Sequence, residues 1–341
     1  VAIVIQSTRG AAAARLIALD WGTSSQRAWL LGDGGRILDG RRPEHGLLRT
    51  MADVDVTDAA ARARACEAVF LEVCGDWLRA HPAIPSIACG MVGSAQGWWE
   101  AGYLTVPTDL DIEAGALTVV RHGQGELYIV PGLRLAPDLE HAIPGDVIRG
   151  EETQVIGALD LMPDSGRPRT VVLPGTHTKW LRIDNRKVNS FTTAMSGELY
   201  GLVTGHGILA YTATTAVRDD QAFARGLAAA STAPSRGLAA ALFSARALAL
   251  DGLLDPPSLP DYVSGVIIGD EVRHLLPEYT DRERIVLCGN ADLCRRYASA
   301  LDLHGVATEI VGEEITARGL WTVATTAGLV EPSPHDRGRT L

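Results

Sequence analysis

Basic residues are the minority: 31 Lys and Arg stand against 41 Asp and Glu, for a formal charge of −10 and an isoelectric point near 5.4. That balance argues against a general polyanion binder such as a DNA-coating protein. It leaves room for a small anionic ligand, because a nest of backbone N–H groups holds phosphate without net positive charge. Long apolar runs are missing too. The longest uncharged stretch, about Leu199 to Val217, carries three Gly, four Thr and His206, so it does not read as a membrane span. No basic segment leads into a long apolar core at the N-terminus, so no signal peptide is read there, and residues 1–15 look like an extension ahead of the fold. Among five cysteines (Cys66, Cys74, Cys89, Cys288, Cys294) there is no CxxC pair. The odd count and the missing leader point to reduced thiols in the cytoplasm, used as small buried apolar residues rather than as zinc ligands. A GxGxxG after the first strand is also absent, which argues against a Rossmann NAD site.

What is present is an ordinary globular composition, 46% hydrophobic and 21% charged, in 341 residues, long enough for two domains. Leu16–Asp20 and Gln26–Leu31 read as strands, and Asp33-Gly34 before "RILDGR" signals a hairpin. Much later "TVVLPGTHTKWLRIDNRKVNSFTT" repeats the plan, with strands Thr170–Leu173 and Lys179–Ile183, a polar Asp184-Asn185 turn and a third strand. Gly22-Thr23 and Gly175-Thr176 therefore occupy equivalent turns in two related halves. Helical spacing marks "DAAARARACEAVFLEVCGDWLRAH", "GEETQVIGALDLM" and "GLAAALFSARALALDGLL". "RIVLCGNADLCRRYASALDLHGVATEIV" reads strand, Gly-Asn turn, helix, strand, a βαβ unit whose turn lies where α/β folds bind ligands. "GLWTVATTAGLV" reads as a last helix before a solvated tail.

Two Gly-Thr turns, each between two strands, can aim N–H groups and hydroxyls at one polyphosphate across an interdomain cleft. Only the first turn follows a carboxylate; Leu173 stands where Asp20 would be in the second half. A polyphosphate needs a metal, and Mg2+ takes one or two carboxylates while keeping several waters, so Asp20 is the metal candidate. As a lone signal, either turn is equally an ordinary hairpin with Asp20 as turn-former; the pairing of the two favours the ligand.

In order along the chain, "ALDWGTSSQRAWL", "GMVGSAQGWW", "YLTVP", "IVPGL", "RGEETQVIGA", "LPGTHTKW", "SGEL" and "VLCGN" resemble the sugar kinase/Hsp70/actin superfamily and, within it, the 2-dehydro-3-deoxygalactonokinase family. The resemblance implies a two-domain actin-like ATPase (ribonuclease H-like) fold of mixed α/β class, with a cleft between its domains. It divides the chain into an extension (1–15), a first domain (16–168), a second domain (169–319) and a C-terminal helix and tail (320–341). It implies transfer of the ATP γ-phosphoryl, with Mg2+, to the 6-hydroxyl of 2-dehydro-3-deoxy-D-galactonate, whose 6-phosphate passes to an aldolase in galactonate catabolism. The partners so implied are ATP and a sugar acid, with no nucleic acid and no membrane, and a homodimer is left open. Another sugar or amino-sugar kinase of the superfamily, or a non-kinase ATP-binding switch, are the alternatives.

The same resemblance assigns roles. Gly22, Thr23 and Ser24 cradle the β- and γ-phosphates; Gly175, Thr176 and His177 close on them; Gly289 and Asn290 lie under the adenosine. Arg27 faces phosphate or solvent, and His177 and Lys179 touch phosphate or, for His177, brace the turn. Relatives place an Asp as base at the start of a helix before the second turn, which here corresponds to Glu151 and Glu152, with Asp146 ranked third. Glu151 is preferred because it follows Gly150 directly; helix-dipole capping explains either carboxylate equally. Arg149 is matched to the substrate carboxylate or, equally, to a structural salt bridge with a nearby Glu, Gly93 and Ser94 to the substrate loop, and Trp98 or Trp99 to its wall, with Trp98 kept as the site residue. Trp99 is left to core packing, and Ser196 and Glu198 to capping of a helix.

Overall fold

The computed structural model describes residues 13–44, 46–162, 167–211, 217–232, 237–279, 284–312 and 314–332. Most of the expected extension and of the tail thus lies outside the described residues, as does the polar end of the 199–217 stretch. No helix among the described residues is long and apolar enough to cross a membrane. The chain forms two compact units, one of residues 1–163 with 314–341 and one of residues 164–313.

In the first unit β1 (Ala14–Trp21), β2 (Gln26–Gly32) and β3 (Ile37–Arg41) make the antiparallel meander. Strand β1 begins two residues earlier than the expected Leu16. The short helix α1 (Leu47–Thr50) and the long α2 (Ala59–Ala80) lead to β4 (Ser86–Cys89), which runs parallel to β1 and sets Cys89 beside Asp20. Helix α2 starts at Asp58, whose side chain accepts the Ala60 amide, and stops at His81 ahead of Pro82. Its buried residues Cys66, Phe70, Val73, Cys74 and Trp77 recur at helical spacing and cover Ile17, Leu19 and Trp21 of β1. Strands β5 (Tyr103–Val106), β6 (Thr108–Asp109), β7 (Thr118–His122), β8 (Gly125–Ile129), β9 (Gly132–Leu135) and β10 (Asp146–Ile148) follow, before α3 (Glu151–Leu161). The main sheet runs β3-β2-β1-β4-β8-β7, and β10-β9-β5 forms a small second sheet.

The second unit repeats the opening. β11 (Arg169–Leu173), β12 (Thr178–Asp184) and β13 (Lys187–Ala194) are an antiparallel meander. Helices α4 (Ser196–Gly205), α5 (Asp220–Thr232), α6 (Gly237–Leu250) and α7 (Leu259–Tyr279) precede β14 (Ile285–Cys288), α8 (Ala291–Asp302) and β15 (Thr308–Val311). The strands of this unit lie in the order β13-β12-β11-β14-β15, with β14 parallel to β11, as β4 is to β1. The expected βαβ unit is present, and both halves share one topology, as the actin-like fold requires.

Helix α9 (Ile315–Thr326) belongs wholly to the first unit. This differs from the expected division at 319/320: the chain returns at residue 314, because α9 packs lengthwise on α3. The two helices come so close that a Cβ on Gly157 would stand 2.0 Å from the Ile315 carbonyl oxygen, and one on Gly319 would stand 1.9 Å from that of Thr153. Helices α5 and α7 repeat this reciprocal arrangement through Gly226 and Gly265. Gly157→Ala should therefore lower stability. Overpacking costs roughly 1–3 kcal/mol, against a gain of at most about 1 kcal/mol in helix propensity. The clash with backbone wins, and the midpoint of urea unfolding should fall; a midpoint equal to or above the parent's would show that the helices part at no cost.

Candidate active site

Each unit carries one of the two Gly-Thr turns. In the first, the turn between β1 and β2 leaves Thr23, Ser24 and Ser25 exposed, with Gly22 half-buried. It is pinned from outside: the Leu47 and Leu48 amides donate to the Gly22 and Thr23 carbonyls at 3.0 Å each. Gly46 permits this, since a Cβ there would sit 2.2 Å from the Ser24 carbonyl carbon. The only amide of the turn engaged internally among these bonds is that of Gly22, donating to Ser25 at 2.9 Å.

Asp20 ends β1 directly opposite Arg27 on β2. Arg27 Nη2 donates to Asp20 Oδ2 at 2.6 Å, both side chains being largely buried. The expected choice between solvent and phosphate for Arg27 is thus corrected: it pairs with Asp20. Gly90, after β4, sits at φ +91°, and a Cβ there would fall 2.8 Å from the Trp21 carbonyl oxygen and 3.4 Å from Asp20 Oδ1. Gly150, at φ +106°, in turn packs on Gly90, with 3.1 Å from its would-be Cβ to the Gly90 Cα. Two glycines thereby bring the start of α3 up to the end of β1.

At that helix start the paired glutamates diverge. Glu152 is completely buried; its Oε2 accepts the Gly150 amide at 2.7 Å and its Oε1 the Thr153 hydroxyl at 3.1 Å. Burial, reinforced by Glu151, pushes its carboxyl up to about 7. Glu151 is half-buried and accepts the Arg149 amide at 3.1 Å. Asp146 sits on β10 opposite Leu135 and accepts the adjacent Val147 amide at 2.7 Å.

The Arg149 side chain reaches back over the Tyr103 ring, 4.2 Å from its centroid, and its Nη2 donates to the Ala101 carbonyl at 2.8 Å. Its Nε and Nη1 are buried and have no partner among the described residues, nor has the buried Ser94 hydroxyl. Gly93 belongs to the same spot: a Cβ there would lie 3.1 Å from Arg149 Nη1. Trp98 does not belong. It is 3% exposed and packs on Phe70, ring centroids 5.6 Å apart, inside the core. The expected wall residue is corrected to a core residue, while Trp99, left to the core, is 59% exposed.

In the second unit the turn between β11 and β12 is pinned in the same manner. The Glu198 amide donates to the Thr176 carbonyl at 2.8 Å, and Gly197 lies against the turn, a Cβ there meeting the Gly175 carbonyl oxygen at 2.3 Å. His177 Nε2 meets Glu198 Oε2 at 2.5 Å, so His177 braces the turn. Lys179 is buried, its ammonium donating to the His177 carbonyl at 3.1 Å. Ser196 is no cap either; its hydroxyl donates to Glu271 instead. Beside the turn opens a cavity of about 400 Å³ lined by Gly175, Thr176, Tyr200, Asn290, Leu293 and Arg296, among others. That volume suits a small ligand. Asn290 lines it while its Oδ1 caps α8 through the Asp292 and Leu293 amides. Gly289 turns the chain behind it at φ +136°. Arg296, bonded to Asp261 and 5.0 Å over the Phe223 ring, and Tyr200 were not singled out from the sequence, since they come from helices far apart in the chain.

Glu152 yields a pH prediction. The unfolded chain releases this proton near the ordinary 4.5 and the folded chain near 7, so between them the folded state binds more protons. Its contribution to stability therefore falls as pH rises through that window and levels off above it, by about 3 kcal/mol in all. Glu152→Gln should gain on the parent from pH 4.5 to 7 in denaturant midpoint; a difference constant with pH would show that another group carries the proton.

The sequence model of the family described as 2-keto-3-deoxy-galactonokinase matches residues 20–323, from Asp20 into α9. The 2-dehydro-3-deoxygalactonokinase of Escherichia coli (strain K12) is 33% identical over 312 residues, covering 91% of this chain and 98% of the relative. A Rhizobium meliloti protein provisionally given that name is 34% identical over 328 residues, 89% of this chain and 97% of the relative. The crystal structure of a Sinorhizobium meliloti protein, again provisionally so named, superposes with a TM-score of 0.78 at 31% identity, over 91% of this chain and 98% of that one. With its two like-built units, each with a Gly-Thr turn in its opening meander, the chain belongs to the 2-keto-3-deoxy-galactonokinase family, carbohydrate kinases on the two-domain actin-like ATPase fold.

Proposed function

We propose that the protein transfers the γ-phosphoryl group of ATP to the 6-hydroxyl of 2-dehydro-3-deoxy-D-galactonate, releasing ADP and the 6-phosphate. It works in the cytoplasm, where its buried, free thiols stay reduced. The observation that carries the choice of a sugar acid is Arg149, next to Gly150 and two residues from Glu151, a guanidinium with two buried nitrogens that have no partner among the described residues. A guanidinium so placed is a fork for a carboxylate. The Ser94 hydroxyl, also unpartnered and buried, supplies a further donor in the loop of Gly93.

Phosphoryl transfer asks the protein mainly to position and to neutralise charge. The exposed hydroxyls and amides at Thr23 and Ser24, with Gly22, take the β- and γ-phosphates, and Gly175 and Thr176 border the cavity that takes the nucleoside. The acceptor oxygen bonds to the γ-phosphorus as the bond to the β-phosphate oxygen breaks, and ADP leaves with that electron pair. Glu151 receives the hydroxyl proton. Glu152 is the poorer base, being sealed from solvent and committed to the Gly150 amide; it positions the turn into α3. Asp20 fits Mg2+ through water: it is one carboxylate at the first turn, its Oδ2 already balanced by Arg27, and Mg2+ keeps most of its waters. When bound, the ion neutralises phosphate charge.

ADP release should be strong with 2-dehydro-3-deoxy-D-galactonate and weak with its gluconate epimer or plain hexoses; activity on hexoses alone would move the assignment to another sugar kinase. Asp20→Asn and Glu151→Gln should each lower kcat by roughly 100-fold or more with little change in KM. A loss confined to Glu152→Gln would transfer the role of base to Glu152. Arg149→Met should raise KM for the sugar acid while leaving that for ATP alone; the converse pattern would remove Arg149 from the acceptor site.

A further inference from the structure

Helix α7 carries a carboxylate where an apolar residue belongs. Val263, Val266, Ile267, Val272 and Leu276 are buried around it, and Glu271 among them is only 7% exposed. Its Oε1 accepts the Trp180 indole N–H of β12 at 2.6 Å, and its Oε2 accepts the Tyr297 hydroxyl of α8 at 2.7 Å. The Ser196 hydroxyl, on the first residue of α4, donates to the same Oε2. One side chain thus ties together β12, α4, α7 and α8. Burial holds the carboxyl above its ordinary range, and the three donors offset that only in part.

The bonds continue outward. With its proton committed to Glu271, the Tyr297 oxygen is left to accept the Thr178 hydroxyl at 2.9 Å. Thr178 Oγ1 in turn faces the Gly175 amide at a long 3.5 Å. Gly175, Ser196 and Tyr297 all line the cavity beside the second turn. Stability alone does not account for such a group, because exchanging a buried, hydrogen-bonded charge for a well-packed apolar side chain is often neutral or stabilising. What an apolar residue cannot do is dictate which way two hydroxyls point.

We infer that Glu271 is a positioning residue for nucleotide binding: it sets the donor direction from Gly175 through Thr178 and Tyr297, and anchors the start of α4, so that the second turn keeps its binding shape. The inference rests on the reading that this cavity takes the nucleotide. Glu271→Gln keeps the shape but presents an NH2 to the two hydroxyls, so both must turn; Tyr297→Phe cuts the chain with Glu271 intact, and serves where Glu271→Gln does not fold.

The test is calorimetric titration of the full-length parent and both variants with ADP, alongside KM for ATP and for the sugar acid and the unfolding midpoint. Expected are a roughly tenfold weaker ADP affinity and a matching rise in KM for ATP, the worth of about one charge-assisted hydrogen bond, with KM for the sugar acid unchanged. Unchanged ADP affinity in folded variants would overturn the inference, as would a rise in both KM values tracking a lowered midpoint. Absence of ADP binding by the parent would instead overturn the nucleotide-site reading on which it rests.

Discussion

Main chain meeting main chain through a glycine is the contact on which both turns depend. Each turn is held from outside chiefly through its carbonyls. Leu47 and Leu48 reach the carbonyls of Gly22 and Thr23, and Glu198 reaches that of Thr176. In each case a neighbouring glycine, Gly46 or Gly197, removes the Cβ that would keep the two chains apart. Each turn is thereby stiffened from its acceptor side, and among the amides of Gly22 and Gly175 one bonds to the Ser25 carbonyl and the other faces the Thr178 hydroxyl.

The carboxylates show how differently one functional group is handled over short distances. Asp20 is paired with Arg27 at 2.6 Å beside the first turn. Glu152, one residue from Glu151, is buried, and among the described residues it accepts only from an amide and a hydroxyl, so burial pushes its carboxyl up to about 7. Glu271 accepts from three neutral donors among the described residues. Desolvation outweighs the hydrogen bonds at both Glu152 and Glu271, whereas Asp20 is met by a guanidinium.

Legibility in the sequence tracks how local each feature is. The two meanders and their Gly-Thr turns could be read because strand, turn and strand are contiguous. The pairing of Asp20 with Arg27 was readable in principle from hairpin register. Trp98 and Trp99 exchange places because neighbouring positions differ only in facing, which here is set by the Trp98 amide bonding back to Val92 and the Ala101 amide to Gly93. Arg296, Tyr200 and the partners of Glu271 come together from α4, α7 and α8, and no spacing announces that. The one signal available was the pair of acidic residues, Asp270 and Glu271, inside the largely apolar run "YVSGVIIGDEV". Lys179, one of only two lysines in the chain, invited a phosphate role, yet it is buried.

The first unit is interrupted: it leaves off at residue 163 and resumes at 314, with α9 closing onto α3 through Gly157 and Gly319. A ribosome makes these two helices about 150 residues apart, which at synthesis rates of about 5–20 residues per second separates them by several seconds or more. The inserted unit is contiguous and has all its strands before α9 exists. Order of birth and order of completion are therefore reversed: the half that begins first is sealed last. Until then the glycine-bearing face of α3 lacks α9, the helix that covers it.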